Sequence, residues 1–277
     1  MAGLLTILQL LNRENIAGQF FYPSSLNSKE ASLTLYFVNT TDISAIESRI
    51  KKHTTALFSG SGLSNTLSLK FQAQISSELP MVPETNRENY GILSGSMLVS
   101  NQLFKSPEGP LQMAKTFARV PMGPNDILFT SNLGGRVSAN KDLVDTAMHP
   151  AWRSSAHLIT FVRAVEPSIE GKNSALEELT TTQMAVLYSQ EDTRFKVSYR
   201  NLGDPNETDF QQVYWGASNY RRLSKIKKEV DKDGLFIMKL GVGSEDWDEQ
   251  GMCKKERSTM LQYLMILLSF WTRCASM

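Results

Sequence analysis

Residues 210–236 read FQQVYWGASNYRRLSKIKKEVDKDGLF, and they are the most informative stretch of this 277-residue chain. Apolar side chains recur every three to four residues from Tyr220 to Val230, with basic residues between them. This spacing predicts an amphipathic helix whose first turn is capped by Ser218 or Asn219. The stretch therefore predicts a helix, ending at Val230, that carries one apolar stripe.

The sequence on either side of this helix alternates between strand and helix patterns. Asp231-Lys-Asp-Gly234 is a stop signal with a glycine turn, and a strand is predicted at 235–242. Residues 67–75 give the cleanest alternation of apolar and polar side chains, which predicts a strand with one buried face. Further strands are predicted at 31–38, 90–99, 126–130, 135–139 and 156–162, and helices after Asp42, after Pro107 or Pro110, and at 174–189. This order predicts an α+β fold, a mostly antiparallel sheet flanked by helices on one face.

Composition excludes several classes of protein. Hydrophobic residues make up 41% of the chain and charged residues 21%, which is a globular composition. The net charge of +1 offers no electrostatic footprint for a nucleic acid. Two cysteines and three histidines, none at a zinc-binding spacing, argue against a disulfide scaffold and against a metal site. The glycines at 60–62 and 134–135 are interpreted as turns and not as phosphate-binding loops.

Three blocks of sequence occur in an order that matches a known family. The most specific is the 210–236 stretch, with an aromatic–Gly pair, Asn-Tyr, Arg-Leu, Ile-Lys and Leu-Phe, continuing into Gly241–Trp247. The other two are Tyr199-Arg-Asn201 with Asp204, and His149–Arg153 preceded by Gly134–Val137. Together these blocks resemble the carboxyl-terminal half of the fungal branch of berberine-bridge-type FAD-linked oxidoreductases. Lys232 stands where the family has proline, and Leu202 where many members have an aromatic or acidic residue.

The resemblance implies a domain organisation in which the FAD-binding domain is missing from these residues. It implies a poorly defined leader at 1–30, a substrate-domain-like sheet with helices at 31–190, and the berberine-bridge-type carboxyl-terminal segment at 191–253. An apolar tail fills 254–277. Its apolar run of about 12 residues is shorter than the roughly 20 that span a bilayer, so no membrane span is expected. A packed helix, a tail anchor and appended sequence remain alternatives for this tail.

The resemblance also implies a set of site residues. FAD is the implied cofactor, Tyr199 the implied proton acceptor, and Asn201, Asn219 and Tyr220 the implied flavin neighbours. A phenol has a pKa of about 10 in water, so a tyrosine base requires a nearby cation or hydrogen-bond donor. The structural alternatives are a packed strand tyrosine for Tyr199 and a helix cap for Asn219. His149, which precedes a proline, is expected to be a turn residue.

Two functional hypotheses follow. The first is an FAD-linked oxidoreductase, represented by a truncated product, that oxidises a small organic substrate of secondary metabolism by hydride transfer to flavin, with reoxidation by oxygen. The second is a flavin-free descendant: a binding protein, a cofactor-independent cyclase or a partner subunit. That alternative predicts an exposed apolar face around Trp215, Tyr220 and Phe236 that a protein partner covers. The sequence leaves cytoplasmic and secreted locations both open.

Overall fold

A five-stranded antiparallel sheet organises the chain in the computed structural model, which describes residues 1–22, 32–37, 40–61, 91–124, 126–143, 145–165 and 168–255. The strand order is β2-β1-β4-β5-β3. The strands are β1 (Ala17–Tyr22), β2 (Ser32–Tyr36), β3 (Gly91–Ser100), β4 (Asp126–Asn132) and β5 (Ser155–Val165). The predicted α+β fold with a mostly antiparallel sheet is confirmed.

Helices precede, connect and follow the strands. They are α1 (Ala2–Arg13), α2 (Ile43–Ser61), α3 (Asn101–Phe104), α4 (Gly109–Phe117), α5 (Arg136–Ala139), α6 (Ile169–Glu178), α7 (Ala185–Tyr188) and α8 (Ala217–Val230). A π-helical turn, Leu179–Met184, joins α6 to α7, and a second π-helical turn, Gln211–Trp215, precedes α8. The chain divides into two compact units after Asn219.

One face of the sheet, called the closed face below, carries the main core. Cross-strand partners share a face, so Met97 and Ile159 lie side by side on it, as do Leu128 and Phe161. These four side chains are almost fully buried in one cluster with apolar residues of α1, α4 and the α6–α7 helix. The core therefore lies between the sheet and these helices.

Buried polar groups fasten α1 to the closed face. The Asn12 amide donates to the backbone carbonyls of Leu133 and Ala156, at 2.6 and 2.9 Å. The Asn132 amide donates to the carbonyl of Leu8 at 3.1 Å, and its Oδ1 lies 3.0 Å from Nδ1 of the fully buried His157. Because each of these bonds satisfies a buried group, α1 is held in one position. Residues 2–22, expected to be a poorly defined leader, thus form a core helix and a sheet strand.

An ion pair joins the start of β4 to the last residues of β5. Arg163 and Asp126 are direct neighbours in the sheet, and two guanidinium nitrogens each donate to an Asp126 oxygen at 2.7 Å. A third contact reaches Glu178 of α6 at 2.7 Å. The hydrogen bonds to Asp126 raise the pKa of Arg163 above its usual range. The side chain of Asp126 is 2% exposed, so this pair ties the sheet to α6 within the protein interior.

Two predicted strands are wrong, and one lies outside the described residues. Residues 136–139 form α5, because positive φ angles at Gly134 and Gly135 turn the chain sharply after β4. Residues 235–242 form turns, with positive φ at Leu240 and a hydrogen bond from Gly241 N to Met238 O. The strand predicted at 67–75 and most of the apolar tail fall in undescribed segments.

Candidate functional site

The segment 197–199 lies along the edge strand β3. Leu98 N donates to Val197 O at 2.9 Å, and Tyr199 N donates to Ser96 Oγ at 3.1 Å. The hydroxyls of Ser96 and Ser198 lie 3.0 Å apart in the interior. These bonds hold the backbone that leads into the Tyr-x-Asn motif against β3.

Tyr199 and Asn201 meet through their side chains. Asn201 Nδ2 donates to the Tyr199 hydroxyl at 2.9 Å. The Tyr199 ring is half-buried and packs edge-on against Trp152, with ring centroids 5.4 Å apart and an interplanar angle of 85°. The Tyr199 hydroxyl is therefore held by a hydrogen-bond donor, and its ring by an aromatic neighbour.

The Tyr199 ring rests on apolar side chains of the face opposite to the closed face, called the open face below. Leu98 and Leu158 form a small cluster there with Val197, and Tyr199 and Trp152 pack against it. Farther along this face Ile92 is 72% exposed and Ile127 is 45% exposed. Tyr199 thus stands at one end of a sheet face that leaves apolar side chains uncovered in the described residues.

Asn219 is held by the neighbouring turn. Its amide donates to Met148 O at 2.8 Å, directly before the His149–Arg153 turn whose Trp152 meets Tyr199. The predicted N-cap role of Ser218 or Asn219 is wrong, since α8 begins at Ala217. Gln212 Oε1 accepts from Ala217 N at 3.0 Å and supplies the cap instead. Asn219 and Tyr199 therefore approach the same turn, from its two ends.

A shallow cleft of about 420 Å³ adjoins Asn219. Met148, Pro150 and Arg153 line it together with residues of the 141–146 loop. Arg153 ties α5 to the turn through bonds to the carbonyls of Val137 and Asn140, at 3.2 and 3.1 Å, and reaches the 141–146 loop at Thr146 Oγ1, 3.5 Å away. The cleft is thus a concave surface formed in part by the turn that Tyr199 contacts.

His149 supports the turn structurally. Its Nδ1 accepts from Ala151 N and its Nε2 donates to Gln212 O, each at 3.0 Å. Burial lowers the pKa of His149, so the ring is neutral at pH 7. With both nitrogens engaged, His149 is a turn residue, as the sequence suggested.

Tyr220 lies in the second unit and is engaged within it. The side chain is 6% exposed, and its hydroxyl donates to Glu245 Oε2 at 2.5 Å and accepts from Gly243 N at 3.0 Å. Phe236 is 79% exposed, whereas Trp215 is half-buried. An exposed apolar face was predicted around these three residues. Of the three, Phe236 is exposed, whereas Tyr220 is buried and packs within its own unit.

The residues fit one side of a flavin. Tyr199, Asn201 and the open face offer a hydrogen-bonding phenol beside an apolar wall, which suits a ring system. Among the described residues, the glycine pair that links a strand to a helix is Gly134-Gly135, between β4 and the four-residue α5. So short a helix gives little of the dipole that favours a diphosphate. The described segments also contain no cluster of acidic, cysteine or histidine residues able to hold a metal, and no helix long and apolar enough to cross a membrane.

Comparison with known proteins identifies the family that the chain resembles. Residues 198–243 match the family described as berberine and berberine like. The chain is 52% identical over 271 residues to the FAD-linked oxidoreductase easE of Epichloe festucae var. lolii, and 49% identical over 271 residues to that of Aspergillus fumigatus. These alignments cover 98% and 96% of the chain, and 44% and 43% of the relatives. The chain thus spans less than half the length of these two curated relatives.

Solved structures share the fold at low sequence identity. The VAO-type flavoprotein MtVAO713 from Myceliophthora thermophila matches with a TM-score of 0.71 at 17% identity, over 91% of this chain and 46% of that one. A variant of berberine bridge enzyme matches with a TM-score of 0.55 at 14% identity, over 87% of this chain and 52% of that one. The resemblance to berberine-bridge-type FAD-linked oxidoreductases, over about half of such a protein, is confirmed.

Proposed function

We propose that this chain, similar in sequence and fold to the berberine-bridge-type FAD-linked oxidoreductases, forms the substrate-facing half of such an enzyme. The contact between Tyr199 and Asn201 supports the proposal, because the phenol with its donated hydrogen bond lies at the end of a sheet face whose apolar side chains are partly exposed among the described residues. The coverage of less than half of the relatives supports a partner segment that supplies the rest of the flavin site.

The proposed reaction is the oxidation of a small organic substrate. Bound FAD would supply the hydride acceptor, with oxygen as the final oxidant. Tyr199, acting as its phenolate, would take the proton that leaves the substrate and become the neutral phenol, and the Asn201 amide would donate a hydrogen bond to the phenolate oxygen before that transfer. The apolar side chains of the open face would exclude water from the reacting atoms.

Trp152 and Asn219 have supporting roles in this proposal. Trp152 limits the tilt of the Tyr199 ring through its edge-on contact and adds apolar surface where a substrate would lie. Asn219 holds the start of the same turn through Met148 O. The resemblance gives Asn219 a further place beside the flavin, and its Oδ1 is the atom that would serve there.

A fusion protein tests the proposal. The chain is joined to the part of the Epichloe festucae relative that it does not match, purified by gel filtration, and examined for visible absorbance of retained FAD. We expect FAD to be retained in equal amount by the fusion and by its Tyr199→Phe variant, while oxygen uptake over a panel of small alcohols and sugars falls at least about 100-fold in the variant.

The isolated chain is the matched control. Because its described residues lack a diphosphate cradle, titration with FAD in a calorimeter should give no saturable heat. A fusion that elutes as a monodisperse species and retains no FAD would contradict the proposal and favour a flavin-free binding protein, cyclase or partner subunit. Retained FAD with unchanged oxygen uptake in Tyr199→Phe would remove Tyr199 from the catalytic role.

A further inference from the structure

We propose that Asp204 is a positioning residue that ties the turn carrying Tyr199 and Asn201 to the two π-helical turns and so fixes where the Tyr199 phenol lies. The inference rests on the proposed function in one respect: that function explains why the position of Tyr199 matters. The geometry itself involves side chains of the first compact unit alone.

The first π-helical turn holds the Asp204 side chain. Asp204 is 4% exposed, and its Oδ1 accepts from Asn206 N at 2.8 Å. Thr180, in the first π-helical turn, places its hydroxyl 3.0 Å from the same oxygen and 3.0 Å from Leu176 O. A buried carboxyl group without such donors is costly, so these contacts decide where Asp204 lies.

The second π-helical turn holds the Asp204 backbone. The Tyr214 hydroxyl donates to Asp204 O at 2.7 Å in the interior. One residue earlier, Val213 O accepts from Ser198 N at 3.1 Å. Segment 198–204 is thus gripped at both ends by the same π-helical turn, and Tyr199 lies between the two grips.

Gly203 leaves the space that the Tyr214 side chain occupies. A Cβ atom built on Gly203 would lie 2.5 Å from the Tyr214 hydroxyl, well inside contact distance. The backbone at Gly203 has φ of −80°, which other residues adopt freely, so space and not conformation selects glycine here. Arg200 also lies over the Tyr214 ring, with its guanidinium carbon 5.7 Å from the ring centroid. Two residues of the turn, Arg200 and Gly203, therefore contact the Tyr214 ring.

π-Helical turns are rare and are found disproportionately at functional sites. Here one such turn directs Thr180 and another directs Tyr214 to a single residue, Asp204. Burial raises the pKa of Asp204, which is the cost of keeping a carboxyl group inside. An asparagine keeps the shape and one acceptor oxygen, and it should preserve the grip.

Fluorine NMR of the chain labelled with 3-fluorotyrosine tests the proposal, with the Tyr199 line assigned from Tyr199→Phe. We expect Thr180→Val and Tyr214→Phe each to shift or broaden the Tyr199 line, and nitration of Tyr199 by tetranitromethane to become several-fold faster. Thr181→Val is the matched control, because the Thr181 hydroxyl donates within its own helix, to Glu177 O at 2.8 Å. That variant should leave the Tyr199 line in place.

Asp204 itself supplies the second arm. Asp204→Asn should keep the Tyr199 line, whereas Asp204→Ala should displace it. The proposal is overturned if the Tyr199 line of Thr180→Val and Tyr214→Phe coincides with that of Thr181→Val, or if Asp204→Ala leaves the line where Asp204→Asn does. The spectra need no flavin, so failure of the fusion protein to retain FAD would sink the proposed function and leave this result standing.

Discussion

The two faces of the sheet differ in how far their apolar side chains are buried, although they belong to the same strands. On β5, Ile159 and Phe161 point to the closed face and are fully buried. Val162, which points to the open face, is only half-buried, and its β4 neighbour Ile127 is 45% exposed. Apolar surface that a fold leaves uncovered commonly marks an interaction site. The closed face therefore carries the main core, and the open face is where the proposed function lies.

The largest expected effect is a loss of stability when a large side chain of the closed-face core is truncated. Phe161→Ala should lower the free energy of unfolding by about 3–5 kcal/mol, because it opens a cavity in the closed-face core. Ile127→Ala should cost less than about 1 kcal/mol, since its side chain is already half in water. Urea denaturation followed by circular dichroism measures both. Equal losses at the two positions would remove the distinction between the faces.

The ion pair on the closed face gives the next effect. Asp126→Asn leaves the Arg163 guanidinium with one carboxylate partner, Glu178, and should cost about 3 kcal/mol because the charge stays largely buried. Glu47→Gln breaks the exposed pair with Lys51 and should cost at most about 0.5 kcal/mol. Denaturation midpoints of the two variants provide the comparison, and a loss in Asp126→Asn as small as in the control would mean that the pair is not buried.

His157 sharpens the comparison through pH. Burial lowers its pKa to about 3 in the folded chain, against about 6.5 when unfolded. Between these values the unfolded state binds the extra proton, so stability falls as the pH falls, by up to about 1.4 kcal/mol per pH unit. Below about pH 3 and above about pH 6.5 this contribution is constant.

His157→Gln is the variant that isolates this effect. A glutamine amide can still donate to Asn132 Oδ1 but does not titrate. Unfolding free energies at a series of pH values from about 7 to about 4 should therefore fall less steeply in the variant than in the parent chain. Parallel curves would mean that the pKa of His157 is the same in the folded and unfolded chain, and that burial does not lower it.

Sequence patterns predicted the fold well where one periodicity dominated. Helix α2 was predicted because its apolar residues recur at a spacing of about 3.6, and strands β3 and β5 were predicted close to the bounds that they have. The α1 helix and β1 were missed because Leu5, Ile7, Leu8 and Leu11 give no polar stripe in so short a segment. The 235–242 strand was predicted from composition, and the positive φ angle at Leu240 that prevents it comes from the turn itself.

The candidate site was predictable in its motif and not in its surroundings. Tyr199 and Asn201 are two residues apart, so their contact follows from local geometry. The contact of Trp152 with Tyr199 and the bond of Asn219 to Met148 O join distant parts of the chain. The sequence shows Asp204 as part of a motif but predicts no role for it, because the two π-helical turns that contact it leave no periodic signal in the sequence.

One measurement tests the central claim most directly: the amount of FAD retained per polypeptide by two variants of the fusion protein. Each variant carries a single arginine, one on the open face of the sheet and the other on the opposite side. Ile127 on the open face and Leu111 on α4 are 45% and 43% exposed, so the two substitutions are matched in accessibility. Ile127→Arg should lose most of the retained FAD because it places a charge on the surface that the flavin-bearing part would cover, while Leu111→Arg should keep it. Equal retention by both variants would contradict the account.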